Sequence, residues 1–512
     1  MLSSEASGPS RKESGILALL FTSRIEIAAP WDRWDRLSLV FALAMTALVF
    51  AFKMKTFLWL AYTSDLFNNV QLARTWMEGR ILEDNCYGHH LSIHTFFFLL
   101  PLGLLARPLG APGLLLAVAL SAGASCLLSC RILRLLGVAG PVAAGAGLLL
   151  VLAPFAVGNY HDKIYGFHVE LLLPAMALGL VYVLLQRKLV AAFSVALAMV
   201  SVKEEVPVLV ALISAFVLVE DFCARRAVNA PHSRRMNGSA VAVMLLAAAA
   251  LPVLLYIINS NPSQGYAPNS FSRLALTRDA PVSNGLSLVS FVLSHVGDWL
   301  RSTTVASWLR YIGLATFGLV LMRPHGLLFA LPLTVVAWLM NDSIIWAPRF
   351  APSLAFAWCL SLFGLASLWR FLAAAPWPFA PLRRAALVSC CAVACASFVL
   401  AIDRAPGAFE VYTFSPQTVY SRIEREQADR LFAKYRKEAT SEEPTAASPY
   451  LFRYVHDRNL YWLDRLQGRP RPQWILTDHT FSSYERYGLA AGDYEVIDRL
   501  GPFALHLAKR SR

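Results

Sequence analysis

Few ionisable side chains interrupt the long apolar runs of this chain, and those that do collect in four short segments. The first is Thr63-Ser64-Asp65-Leu66-Phe67-Asn68-Asn69, directly after an apolar stretch. Ser64 stands where an N-cap would, and Leu66, Val70 and Met77 form a stripe at helical spacing as far as Glu78. Asp65 in the first turn of such a helix either complements the helix dipole on a surface helix, or serves as a general base or metal ligand at a membrane–water boundary. The second segment, Gly88-His89-His90-Leu91-Ser92-Ile93-His94, places three imidazoles within six residues. His90 and His94 could bind phosphate or metal, or shuttle protons. The third runs from Asn159 through His161, Asp162 and Lys163 to His168 and Glu170. A carboxylate beside hydrocarbon costs up to about 2.5–3.5 kcal/mol. A helix N-terminus returns at most about 1 kcal/mol of that, so Glu170 calls for a partner. The fourth is Lys203-Glu204-Glu205, three charges in a tight turn between apolar runs. It is either a plain exposed turn, or Lys203 faces an anionic phosphate while Glu204 or Glu205 pairs with it or with a metal. Arg273, Arg278, Asp342 and Arg349 are weaker candidates for an anionic substrate.

The elements that must carry these segments are membrane spans. The 512 residues are 57% hydrophobic and only 15% charged, with mean hydropathy +0.51. A soluble protein of this length carries about a quarter of its residues charged. Apolar runs near the 18–20 residues needed to cross hydrocarbon recur over the first four-fifths of the chain. The net charge of +13 is dispersed in bursts between these runs, such as Arg131 with Arg134 and Arg187 with Lys188. That is the positive-inside pattern, not the single basic face of a nucleic-acid binder. The eight cysteines have neither a disulfide framework nor metal-ligand spacing.

The expected architecture is an α-helical polytopic membrane protein with about eleven transmembrane helices and a small C-terminal soluble α/β domain. Residues 1–36 read as a cytoplasmic tail, 37–403 as the transmembrane domain with an outer-face loop at 61–111, and 404–512 as the extracytoplasmic domain. The eleven expected spans are Leu37–Leu60, Pro112–Leu136, Val138–Val157, Val169–Leu185, Val190–Val202, Val206–Val219, Ala240–Ile258, Tyr311–Met322, Leu327–Met340, Ser353–Leu372 and Ala385–Ile402. Ile93–Leu105 reads instead as a helix lying at the surface, because a crossing there would put Arg131 and Arg134 outside. With the N-terminus inside, the His, Asp and Glu residues of the four segments gather on one outer face. In the C-terminal part, Gln417–Lys437 has helical periodicity, Trp474–Asp478 reads as a buried strand and Tyr494–Ala508 as one or two strands.

An Asp just after the first span, an outer loop with a surface helix, and further acidic and His residues on the same face resemble the GT-C type of membrane glycosyltransferase. The chain also resembles the membrane proteins grouped as domain of unknown function 2079. The segments carrying this likeness are Ser64-Asp-Leu-Phe…Gln71, His90-Leu-Ser-Ile…Leu99-Leu-Pro101, Phe167-His-Val-Glu170…Pro174, Val202-Lys-Glu-Glu-Val206, Pro449-Tyr-Leu-Phe…Arg458-Asn-Leu-Tyr461 and Gln473-Trp-Ile-Leu-Thr-Asp478. They run in order from about residue 60 to 500. The chain departs from the pattern at Asn341-Asp-Ser-Ile-Ile-Trp346, where an aromatic or His-rich loop is expected. It departs again at Phe167-His-Val-Glu170, where the motif has Pro in place of Val169.

The resemblance implies transfer of a sugar from a polyprenyl-phosphate carrier at the outer face of a bacterial inner membrane. Asp65, His168 and Glu170 would then be catalytic, with His90, His94, His161, Lys203, Glu204 and Glu205 binding substrate. A divalent metal, Mg or Mn, would be optional, held by Asp65, His168 or Glu170. A lipid or solute transporter and a non-catalytic envelope protein are the competing readings; a transporter would place its polar groups near the bilayer midplane on broken helices.

Overall fold

The computed structural model describes residues 31–509, apart from 229–236, 262–284, 340–349, 375–379, 456–458, 467–468 and the single positions 87, 403, 406 and 441. The tail before residue 31, Arg273, Arg278, Asp342, Arg349, Arg458 and the segment 341–346 therefore lie outside the described residues.

The first helix, α1 (Arg33–Leu58), begins at a capping box. Asp32 accepts from the Trp34 and Asp35 backbone N–H groups, and Asp35 returns a bond to the Asp32 N–H. Such a cap is worth about 1 kcal/mol. The same two carboxylates bind α1 to α4 (Ala111–Leu135), the helix it packs against most extensively, through Asp35–Arg131 and Asp32–Arg134 pairs, each 2.8 Å. Close approach of the two helices depends on Gly123, where a Cβ would fall 2.5 Å from the Ala42 carbonyl oxygen.

Between these helices lie α2 (Asp65–Arg74), a two-stranded hairpin of β1 (Glu83–Asp84) and β2 (Gly88–His89), and α3 (Leu99–Leu109). After α4 the chain enters α5 (Gly140–Leu152), which bends by 53° into α6 (Pro154–His161). Then follow α7 (Leu173–Leu185), α8 (Leu189–Val200), α9 (Val206–Val228) and α10 (Gly238–Ser260), and later α11 (Ala351–Ala374) and α12 (Ala380–Ile402).

Among the described residues, five helices are individually long and apolar enough to cross a membrane, and the bent pair α5–α6 would make a sixth. Of the remaining expected crossings, Val169–Leu185, Val190–Val202, Tyr311–Met322 and Leu327–Met340 fall on shorter or broken helices, while Ala385–Ile402 lies within α12. At a rise of 1.5 Å per residue, the 12 residues of α8 reach only about 18 Å of the roughly 30 Å hydrocarbon. The stretch 311–340 is interrupted at Gly318, whose backbone is left-handed, and by helix starts at Pro324 and Pro332.

The C-terminal part carries a long helix, α13 (Arg422–Glu438), opened by a Ser421–Glu424 capping box. Its sheet holds β3 (Thr445–Ala447), β4 (Leu460–Trp462), β5 (Trp474–Thr477), β6 (Tyr494–Leu500) and β7 (Phe503–Ala508), in the order β4-β3-β5-β7-β6. The β3–β4 and β3–β5 pairs are parallel, and the other two are antiparallel. Every residue of β5 is buried, as expected of a strand covered on both faces. Ile475 packs with Ala446 and Tyr494, while Leu476 joins Leu505, Phe503 and Phe432 of α13. The expected buried strand at Trp474–Asp478 and the paired strands over Tyr494–Ala508 are thus both present.

Candidate functional site

The helix after the first span, for which a surface position is one of two readings, is internal. Leu66 and Val70 of α2 have no exposed surface, and Asn68, Asn69 and Gln71 are buried as well. Ser64 holds the N-cap position but makes no capping bond. The reason lies in what covers α2: Phe67 meets Phe452 edge-on at 5.8 Å, and Gln71 donates to the Leu460 carbonyl at 3.1 Å. The C-terminal sheet region therefore packs against the element that carries Asp65, whose side chain keeps 29% exposure.

Asp65 faces His168. The Nε2 of His168 lies 3.7 Å from Asp65 Oδ2, and its Nδ1 lies 3.1 Å from Asp162 Oδ2. One imidazole thus bridges two carboxylates from different segments. Burial raises the Asp65 pKa, partly offset by the His168 charge. For His168, burial opposes the charged form, but the Asp162 hydrogen bond and the charges of Asp162, Glu170 and Asp65 outweigh it and raise the pKa.

Beyond His168 the network continues. Lys203 Nζ lies 3.2 Å from both Glu170 Oε1 and Glu205 Oε1, which supplies the partner that Glu170 needed. Burial disfavours the Lys203 ammonium, yet Glu205, Glu170 and Glu204 together raise its pKa. Glu204 turns the other way: its Oε1 lies 2.8 Å from His94 Nδ1, and its Oε2 accepts from the Thr95 N–H at 3.3 Å. Burial works against this carboxylate, but His94 and Lys203 prevail and hold it at about 2. His94 and His90 both stack on Phe96, and His90 Nδ1 lies 3.4 Å from Asp84 Oδ2. The hairpin aligns a further cross-strand pair, with His89 Nε2 2.7 Å from Glu83 Oε1.

Of the residues singled out in the sequence, Asp65, His90, His94, His168, Glu170, Lys203, Glu204 and Glu205 thus come together, through ion pairs, stacked rings and the charges they exert on one another. His161 stands apart, buried at the end of α6 with its ring edge-on to Phe52 at 4.8 Å. Its neighbour Asp162 takes the place beside His168. Asp84 is a further member that the sequence reading did not select, and Lys53, buried in α1, adjoins the cluster through the His161 and Gly166 carbonyls. The signals were there: an Asp on the strand facing the His-rich turn, and a lysine inside an apolar span. Among the described residues, no group of three or more His, Cys, Asp or Glu side chains is arranged to hold a metal ion. Asp65 and His168 face each other while Glu170 is turned to Lys203, so the suggested metal set does not assemble.

These features define a polytopic helical membrane protein with a buried acid–histidine cluster at the ends of its spans, covered in part by a C-terminal α/β unit. The chain belongs to the DUF2079 family of predicted membrane proteins, whose model matches residues 60–487. No curated protein matches the sequence. Among solved structures, it is similar to ArnT from Cupriavidus metallidurans bound to undecaprenyl phosphate, at 14% identity and a TM-score of 0.47 over 92% of this chain and 98% of that one. It is also similar to the archaeal oligosaccharyltransferase AglB from Archaeoglobus fulgidus, in complex with an inhibitory peptide and a dolichol-phosphate. There the identity is 11% and the TM-score 0.42, over 85% of this chain and 69% of that one. Likeness at this level carries no argument about activity.

Proposed function

We propose that the chain is a membrane glycosyltransferase that moves a sugar from a polyprenyl-phosphate donor to an acceptor at the outer face of a bacterial inner membrane. The observation that carries this reading is the Asp65–His168–Asp162 chain, a part-exposed carboxylate backed by an imidazole and a buried acid. Asp65 takes the proton of the acceptor hydroxyl. The acceptor oxygen then bonds to the anomeric carbon as the bond from that carbon to the phosphate oxygen breaks, and the electron pair leaves on the polyprenyl phosphate. A carboxylate whose pKa is raised by burial is a better base near neutral pH than an ordinary one. His168 holds Asp65 in place and, when charged, favours its ionised form. Lys203, with His90 and His94, faces the charge that develops on the leaving phosphate. Glu204 and Glu205 hold those groups in position. No step passes through a metal.

The test is turnover by the purified protein in lipid, supplied with radiolabelled polyprenyl-phosphate sugars one at a time. Transfer or release of sugar that is lost in Asp65→Asn, with folding intact, supports the reading. No turnover with any donor would overturn it. One observation favours a second reading, a cation- or proton-coupled transporter: six carboxylates (Asp65, Asp84, Asp162, Glu170, Glu204, Glu205) surround one lysine and three histidines. Uptake driven by a proton gradient in vesicles, without turnover, would select it.

A further inference from the structure

Lys53 lies inside α1 with no exposed surface. An ionisable group inside an apolar span is costly to bury and is kept where it has work to do. Its ammonium donates to two backbone carbonyls, His161 O at 2.9 Å and Gly166 O at 2.5 Å, and sits over the Tyr62 ring at 5.4 Å. Those carbonyls bracket a tight clip of chain that closes on itself, with the Gly166 N–H donating to Asp162 O at 2.9 Å. Both ends of the clip have left-handed backbone: Asp162 at φ 42 and Gly166 at φ 77. At Gly166 a Cβ would fall 2.7 Å from the Tyr62 ring, so the clip also lies hard against the turn that precedes α2. A non-glycine residue in this conformation persists only where its surroundings hold it there. The residue so held is Asp162, whose carboxylate bonds His168, which in turn faces Asp65.

We infer that Lys53 is a positioning residue for the site. It pins the His161–Gly166 clip and so keeps Asp162 on His168 and His168 against Asp65, although its own side chain touches none of the three carboxyl or imidazole groups through a hydrogen bond. This rests on the proposed role of Asp65 and His168, but its decisive readout needs no turnover.

The groups facing His168 are Asp162, Asp65, Glu170 and the edge of the Tyr165 ring. If Lys53 acted only through its charge, Lys53→Met would remove a nearby cation and raise the His168 pKa. If Lys53 positions Asp162, the same change releases the clip, His168 loses its hydrogen-bonded carboxylate, and its pKa falls. The two roles predict opposite signs.

The experiment is NMR titration of isotope-labelled histidine in the full-length protein in nanodiscs, with a His168→Gln sample to assign the resonance. The expected result is a His168 titration displaced to lower pH in both Lys53→Met and Asp162→Asn, with little further displacement in the double variant. A displacement to higher pH in Lys53→Met, or none, while Asp162→Asn lowers it, would overturn the inference. Should Lys53→Met fail to fold, Lys53→Gln keeps an N–H donor for the carbonyls without the charge. Positioning then expects the His168–Asp162 titration to be retained, and a fall as large as in Asp162→Asn with intact fold would count against it. Where a donor supports turnover, Lys53→Met should lower kcat about 10²-fold, as small misplacements of catalytic groups do, with KM little changed. An absence of turnover with every donor would refute the enzyme while leaving the titration test standing.

Discussion

Replacing Lys203 tests whether the cluster is held together by its buried charges. Lys203 Nζ sits 3.2 Å from the Glu170 carboxylate, whose side chain is 4% exposed, and 3.2 Å from Glu205, which is 33% exposed. The second Glu170 oxygen, Oε2, is buried and has no hydrogen-bond partner among the described residues. Lys203→Met keeps the length of the side chain and removes the ammonium. Glu205 can then turn to water, but Glu170 cannot. Breaking a buried pair from one side costs about 3–5 kcal/mol, because the remaining charge is stranded. That corresponds to a change of about 10²- to 10⁴-fold in the unfolding equilibrium. Glu170→Gln in the same background removes the stranded charge and should restore most of the loss. The assay is reversible unfolding by detergent titration in mixed micelles, followed by tryptophan fluorescence, on wild type, both single variants and the double. Recovery of most of that loss means a coupling energy of about 3 kcal/mol or more, the top of the range for groups in direct contact. Additive single effects, or Lys203→Met within about 0.5 kcal/mol of wild type, would refute the reasoning. The double variant also separates two roles: it should fold nearly as stably as wild type yet, on the proposed reading in which Lys203 faces the leaving phosphate, show no turnover.

Two pH dependences follow from the same network. Burial raises the Asp65 pKa and the His168 charge lowers it, so His168→Asn should move the acid limb of the rate profile to higher pH; an unmoved or lowered limb would contradict the pairing. Glu204 is depressed from 4.5 to about 2 in the folded protein, so its contribution is present above the ordinary glutamate range and is lost as pH falls toward 2. The gap corresponds to at most about 3 kcal/mol. Glu204→Gln should therefore be less stable than wild type near neutral pH, with the difference closing on acidification, and a constant difference across pH 6 to 2 would sink the assignment.

The cluster was legible in the sequence because membrane topology constrains it. Apolar spans leave their ionisable residues at helix ends, and short connections bring those ends to one face, so Asp65, His90, His94, His168, Glu170 and the Lys203–Glu205 turn converge from segments more than one hundred residues apart. The buried strand at 474–477 was equally legible, from an unbroken apolar run ahead of Asp478. The later helices were not. Apolar composition between 311 and 340 is continuous, but Gly318, Pro324 and Pro332 break it into pieces that a hydropathy window joins into spans.

The hardest placement to read is one residue wide. His161 and Asp162 are adjacent, and imidazole chemistry favoured His161 as the ligand-binding member. What decides between them is where α6 ends. Pro154 restarts the helix after the 53° bend, and that phase makes His161 its last residue, buried against Phe52. The chain then reverses through a left-handed Asp162 and turns that carboxylate to His168. No local preference selects aspartate for this conformation strongly enough to be read from sequence, since the cost of left-handed backbone is of the same order as a single hydrogen bond. The reversal is held instead by an ammonium 108 residues earlier in the chain. A lysine inside an apolar span is visible in any sequence, but its carbonyl partners are not, because every residue has a carbonyl. Buried cations that bind backbone rather than carboxylate are therefore the part of such a site that only three-dimensional structure can assign.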